Sequence, residues 1–215
     1  MPSPQLVYFA DPMCSWCWGF SPTIEAIAAE YGASLPIRVI VGGLRPGTTK
    51  AMDAAARATS RGHWERVHEA SGQPFDFAFF DRKHFVYDTE PAARAVVVMR
   101  GRDEALALPF HARVQRAFYA ENRDVTDADV LAELAAEFGY TAAAFGEAFD
   151  SDRAREETQG DFRIAQSTGI TGFPTLIAGY GDERPWTLIT QGFQPKDRIL
   201  PVVEEWLEGV ALPSA

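Results

Sequence analysis

Leu6-Val7-Tyr8-Phe9-Ala10 opens the hydrophobic pattern with no polar residue inside it. An unbroken run this short predicts a strand buried on both faces. Asp11-Pro12-Met13 is a brief connection, and from Trp18 to Tyr31 the apolar positions fall at helical spacing. Pro22 lies inside that pattern and, having no N–H to donate, predicts a kink or a break near the helix start. Leu35 to Val41 repeats the strand signature and is closed by Gly42-Gly43. Strand, helix and strand at this spacing make a βαβ unit, whose strands run parallel.

From Thr48 to Gly169 the pattern turns almost wholly helical. Thr89-Glu90-Pro91 predicts an N-cap followed by proline in the first turn of a helix over Ala92–Arg100. Glu104–Ala120 carries Leu106, Leu108, Phe110, Val114 and Phe118 at helical spacing. Thr126-Asp127-Ala128-Asp129 caps another helix, stopped by Gly139, and helices over Thr141–Phe149 and Arg153–Gln166 follow. Phe75, Phe77, Phe79, Phe80 and Phe85 are expected to pin a loop-rich stretch to this block. Strand signals return at Thr175–Ala178 and Trp186–Thr190, joined by a turn over Gly179–Pro185, and the last helix is expected over Pro195–Gly209. The block is too long for one crossover helix. The fold class predicted is therefore α/β, with residues 1–47 and 169–215 forming one domain and residues 48–168 an inserted helical subdomain.

At 215 residues and 47% hydrophobic, the chain buries a sizeable core without covalent staples. Its net charge of −10 argues against nucleic acid or an anionic membrane as partner. No stretch approaches the roughly 20 apolar residues of a membrane span. No basic segment precedes the first short apolar run, so the sequence predicts a cytoplasmic protein, or a mature form whose leader has been trimmed.

The only two cysteines are Cys14 and Cys17, at the junction between the first strand and the first helix. A sulfur at a helix N-terminus sits where unpaired N–H groups and the helix dipole favour negative charge. Thiolate is the reactive form, and the Cys-x-x-Cys spacing lets the second thiol close an intramolecular disulfide on the first. In a reducing compartment one such pair points to catalysis or metal rather than to a staple. Zinc needs four ligands, and no second Cys-x-x-Cys exists. His63, His68, His84 and His111 are scattered and are expected at the surface. Asp11 serves either as a turn former before proline or as a proton acceptor tuning the thiols.

Two motifs carry a resemblance. Asp11-Pro12-Met13-Cys14-Ser15-Trp16-Cys17-Trp18-Gly19-Phe20 and Gly169-Ile170-Thr171-Gly172-Phe173-Pro174-Thr175, in a β-α-β, helical insert, β-β-α order, resemble the DsbA-like form of the thioredoxin fold. The Ser-Trp dipeptide between the cysteines is similar to that of the cytosolic FrnE-like branch. The resemblance implies that Cys14 is an exposed nucleophile, Cys17 the resolving thiol, and Phe173-Pro174 a cis bond presenting backbone to substrate. Many members carry histidine where Trp16 stands, so a weaker oxidant is expected. Trp16 either meets apolar substrate or packs on the domain.

The implied activity is thiol–disulfide oxidoreduction or isomerisation on protein or small-molecule thiols, with no bound cofactor and no metal, and with glutathione as a candidate redox co-substrate. Glutathione-dependent isomerases and transferases, of the 2-hydroxychromene-2-carboxylate isomerase or kappa class, resemble the same arrangement but usually place serine where Cys14 stands. A chaperone-like binding module with incidental cysteines is the non-enzymatic alternative.

Overall fold

The computed structural model describes residues 3–181 and 183–211. Strands β1 (Pro4–Ala10) and β2 (Ile37–Val41) pair in parallel, with Leu6 opposite Ile37 and Ala10 opposite Val41. Strands β3 (Thr175–Tyr180) and β4 (Glu183–Gln191) complete a sheet in the order β2-β1-β3-β4, with β1/β3 and β3/β4 antiparallel. Alternation along β1 divides its side chains between two interiors. Leu6, Tyr8 and Ala10 enter the main core, whereas Val7 and Phe9 meet Ile40 and Ala165 on the other face.

Helix α1 (Ser15–Tyr31) lays Cys17, Phe20, Ile24 and Ile27 into the main core and runs through Pro22 without the expected break. Proline at that position frees the carbonyl four residues earlier, Trp18. The Gln73 side-chain amide donates to that carbonyl at 3.0 Å, so the lost helical bond is replaced from outside the helix.

The central block holds α2 (Ala54–Ser71), α3 (Glu90–Arg102), α4 (Ala107–Tyr119), α5 (Ala128–Ala136), α6 (Ala142–Asp150) and α7 (Asp152–Ser167). Asp53, Asp127, Thr141 and Ser151 cap four of these with side-chain oxygens that accept from backbone N–H groups. The helix expected over Glu104–Ala120 is instead a 3-10 turn, Glu104–Leu106, followed by α4. The Asp103 carboxylate caps the turn by accepting from Ala105 N–H. Thr89 is the N-cap of α3, but its hydroxyl accepts from Arg45 N–H at 3.0 Å rather than from its own helix. The phenylalanines expected to pin the loop do so around Trp64 of α2, whose ring lies 4.9 Å from Phe79, 4.8 Å from Phe80 and 5.2 Å from Phe75 between centroids.

Helix α7 covers the second face of the sheet. Asp161 accepts two hydrogen bonds from the Arg100 guanidinium, at 2.7 and 3.0 Å, and one from Val41 N–H at 3.0 Å, tying α7 and α3 to β2. The hairpin strands extend further than the pattern predicted, and Asp182 of the expected turn lies outside the described residues, as do Met1 and Pro2. Helix α8 (Lys196–Ala211) closes the fold. Among the described residues no helix is long and apolar enough to cross a membrane.

Candidate functional site

Asp11 builds the corner that places the thiols. Its Oδ1 accepts from Met13 N–H at 2.9 Å and its carbonyl accepts from Cys14 N–H at 3.0 Å, so Asp11 is a turn former. Its Oδ2 accepts from Leu44 N–H at 2.7 Å, fastening the loop after β2 to the same corner. Cys14 is thereby left as the N-cap residue of α1, and its carbonyl accepts from Trp18 N–H at 3.0 Å.

The two thiols are free and unequal in access. Cys14 keeps only 6% of its surface in solvent and Cys17 none. The expectation of an exposed Cys14 is thus corrected: the loop carrying Phe173 closes over most of it, and the Cys14 thiol donates to the Phe173 carbonyl at a sulfur–oxygen distance of 3.6 Å. The Phe173–Pro174 bond is cis. Gly42 makes room for the Phe173 ring, since a Cβ there would fall 2.0 Å from a ring carbon. Pro174 is buried, and Phe173 is half-buried. Trp16 is also half-buried and packs against Phe193, just after β4, with centroids 5.8 Å apart. The site residues inferred from the sequence therefore converge, with Trp16 packed on the domain.

Burial pushes the Cys17 thiol well above its ordinary range, and the neighbouring Cys14 adds to the rise; the Asp11 backbone N–H opposes both. Tyr8 stands beside Cys17, and burial holds its phenol protonated far above the usual tyrosine range. The Asp11 carboxyl is raised to about 6 by burial, against the pull of its N–H donors and of the Arg45 charge. His111 corrects the expectation of a surface histidine. It is 1% exposed, packs edge-on to Tyr8 at 5.9 Å, and is pushed down to about 3 by burial, partly offset by the Asp11 backbone carbonyl. Tyr8 Oη, His111 Nε2 and Gln115 Nε2 are buried without a protein hydrogen-bond partner.

The sequence pattern held one signal for this cluster. His111 falls four residues after Ala107 and three before Val114, on the apolar stripe of α4. His68 and His84 are exposed as expected, while His63 is half-buried.

The family model of the DSBA-like thioredoxin domain matches residues 5–197. A solved "putative protein disulfide isomerase" from Nitrosomonas europaea is 39% identical, with a TM-score of 0.88, over 96% of this chain and 98% of its own. The cytosolic disulfide reductase DsbM from Pseudomonas aeruginosa, solved with GSH, is 32% identical with a TM-score of 0.77, over 95% and 99% of the two chains. The ClpXP adapter protein SpxH of Bacillus subtilis is 24% identical over 80% of this chain, which spans 57% of that relative's length.

Proposed function

The chain belongs to the DSBA-like thioredoxin family, and from that premise we propose that Cys14 and Cys17 form a redox pair exchanging disulfides with protein or small-molecule thiols. The observation that carries this reading is the asymmetry of the pair. Cys14 reaches solvent and meets the Phe173 carbonyl, while Cys17 is sealed behind it with its thiol held protonated. A substrate can therefore meet the first sulfur only, and the second acts from within.

In the reducing direction the Cys14 thiolate attacks a substrate disulfide, forming a mixed disulfide and releasing one substrate thiolate. Cys17 then gives up its proton and attacks Cys14, forming the Cys14–Cys17 bond and releasing the second substrate thiolate. The substrate disulfide gains two electrons and the cysteine pair loses two. Oxidation of a substrate dithiol is the reverse sequence. Asp11 acts on the pair through its charge: once ionised, it opposes thiolate formation at Cys17. Phe173 and Pro174 offer backbone to the substrate, and Trp16 contributes apolar surface at the rim. We assign the protein to the cytoplasm, with glutathione as redox co-substrate and no bound cofactor. The likeness to a cytosolic reductase solved with GSH supports both assignments.

Cys17→Ser tests the assignment of roles. Incubated with oxidised glutathione, this variant is expected to accumulate one glutathione per chain on Cys14, read by intact mass and peptide mapping. Cys14→Ser is expected to accumulate none. Equal labelling of both variants, or exchange activity that survives Cys14→Ser, would reject the proposed order of attack.

A further inference from the structure

The loop that follows β2 forms one wall of the thiol site, and it carries a cation, Arg45, that makes no direct ion pair among the described residues. Gly42 packs under the Phe173 ring, Leu44 N–H is held by Asp11, and Arg45 N–H is held by the Thr89 hydroxyl. Fixed at these points, the loop projects Leu44, 40% exposed, and Arg45, also exposed, at the rim. The Arg45 guanidinium lies over the Tyr87 ring, 4.8 Å from its centroid. The Tyr87 hydroxyl in turn donates to the carbonyl of Met13, the residue before Cys14, at 2.7 Å. The cation is thus separated from the chain entering Cys14 by one tyrosine ring.

Among the described residues Arg45 makes no ion pair. Asp88, on the facing segment, accepts with its Oδ1 from the N–H groups of Gly47 and Glu90. Asp11 is buried and spends both oxygens on N–H groups of Met13 and Leu44. Arg66 adds a second positive charge: both it and Arg45 bear on His63 of α2, reinforcing the effect of burial in disfavouring its protonation. Arg45 and Arg66 are thus near enough to His63 to act on it together, on a chain of net charge −10. A guanidinium pre-set on an aromatic face loses little freedom on binding and matches a carboxylate with paired donors.

We propose that Arg45 anchors a carboxylate of the small thiol that turns over Cys14, so that the substrate class is a carboxylate-bearing peptide thiol, of which glutathione is the probe at hand. The inference rests on the redox reading of Cys14 and Cys17. In the step concerned, a glutathione thiolate attacks the Cys14 sulfur of the oxidised pair. The glutathione–Cys14 bond forms as the Cys14–Cys17 bond breaks, and Cys17 leaves as thiolate and takes up a proton. A second glutathione thiolate then attacks the glutathione sulfur, releasing glutathione disulfide and the Cys14 thiolate. Two glutathiones give one electron each, and the cysteine pair gains two. Arg45 takes no part in bond making. It holds the carboxylate while the sulfur aligns.

The test compares reduction of the oxidised protein by glutathione and by 2-mercaptoethanol, an uncharged thiol, in the parent, Arg45→Ala and Arg45→Lys. For Arg45→Ala the glutathione kcat/KM is expected to fall about three- to fivefold, through KM, as loss of an exposed ionic contact implies. The 2-mercaptoethanol rate is expected to hold within about twofold, and Arg45→Lys to recover only part of the loss, since it keeps the charge but not the paired donors. Raising ionic strength should narrow the preference for glutathione in the parent and leave Arg45→Ala unmoved. Equal losses with both thiols would make Arg45 a structural support for Tyr87 and overturn the proposal, as would an unchanged glutathione KM. A parent disulfide that neither thiol opens would overturn the redox reading itself, and this inference with it.

Discussion

The last turn of α4 sends Phe118 and Tyr119 into the aromatic cluster around Trp64, whereas His111, on an earlier turn, is buried toward Tyr8 and Asp11. One helix therefore serves two regions of the main core. Around Trp64 the rings of Phe75, Phe79, Phe80, Phe118 and Tyr119 meet edge-on, tilted or stacked, so burial there is mostly apolar gain, with the Tyr119 phenol, held protonated by burial, as the exception. Beneath the thiols, by contrast, a carboxylate, an imidazole, a phenol and a thiol are all taken out of water, and each has its protonation equilibrium displaced by burial. The difference locates where the fold gains stability and where it gives some up for chemistry.

Trp64→Ala separates the two regions with the largest effect. It is expected to remove about 3–5 kcal/mol of stability, measured by denaturant unfolding, because a fully buried ring leaves a cavity among stiff neighbours. The thiol-exchange rate, measured where the variant is still folded, is expected to stay near that of the parent. A comparable loss of exchange rate would mean that the two regions of the core act as one.

The pH dependence sharpens the contrast from the other side. Asp11 titrates at about 6 in the fold and near 3.8 otherwise, so the folded state holds the extra proton and stability falls as pH rises from about 4 to 6. His111 titrates at about 3 in the fold and near 6.5 otherwise, so the unfolded state takes the proton first and stability falls as pH drops from 6.5 toward 3. Each slope is about 1.4 kcal/mol per pH unit, with opposite signs, so their contributions cancel between roughly pH 4 and 6. Relative to the parent, His111→Asn is expected to lose stability as pH rises through that window, and Asp11→Asn to gain it. Difference curves flat for both variants would deny that the cluster is displaced by burial.

The smallest effect concerns the join between the regions. Gln73→Ala leaves the Trp18 carbonyl without its donor and is expected to cost about 1 kcal/mol. In a Pro22→Ala background, where the helix supplies its own N–H, the cost should nearly vanish. An undiminished cost would show that Gln73 stabilises the fold by another contact.

Much of this was legible in the chain. The strand runs, the capping residues and the Cys-x-x-Cys pair are local signals, and local signals survive whatever the tertiary arrangement does. Asp127, within the expected capping stretch Thr126–Asp129, caps the helix that follows it. What escaped depends on which faces meet. The partner of β1 on its second edge is β3, a strand more than 160 residues away, and no spacing announces that pairing. Thr89 looked like the cap of its own helix, yet its hydroxyl is taken by Arg45 from a distant loop. His111 occupied a core position of α4 but carried a residue type usually found outside. Cys14 was placed at the correct helix end, but its covering by Phe173 follows only from the fold.

The most direct test of the central claim is the equilibrium of the parent protein against graded ratios of reduced and oxidised glutathione, with free thiols counted by mass. A single two-electron couple is expected, with Cys14 and Cys17 joined intramolecularly in the oxidised form and a potential well below the roughly −120 mV of the strongest oxidant of this fold. Failure of the two cysteines to join at any ratio would contradict it.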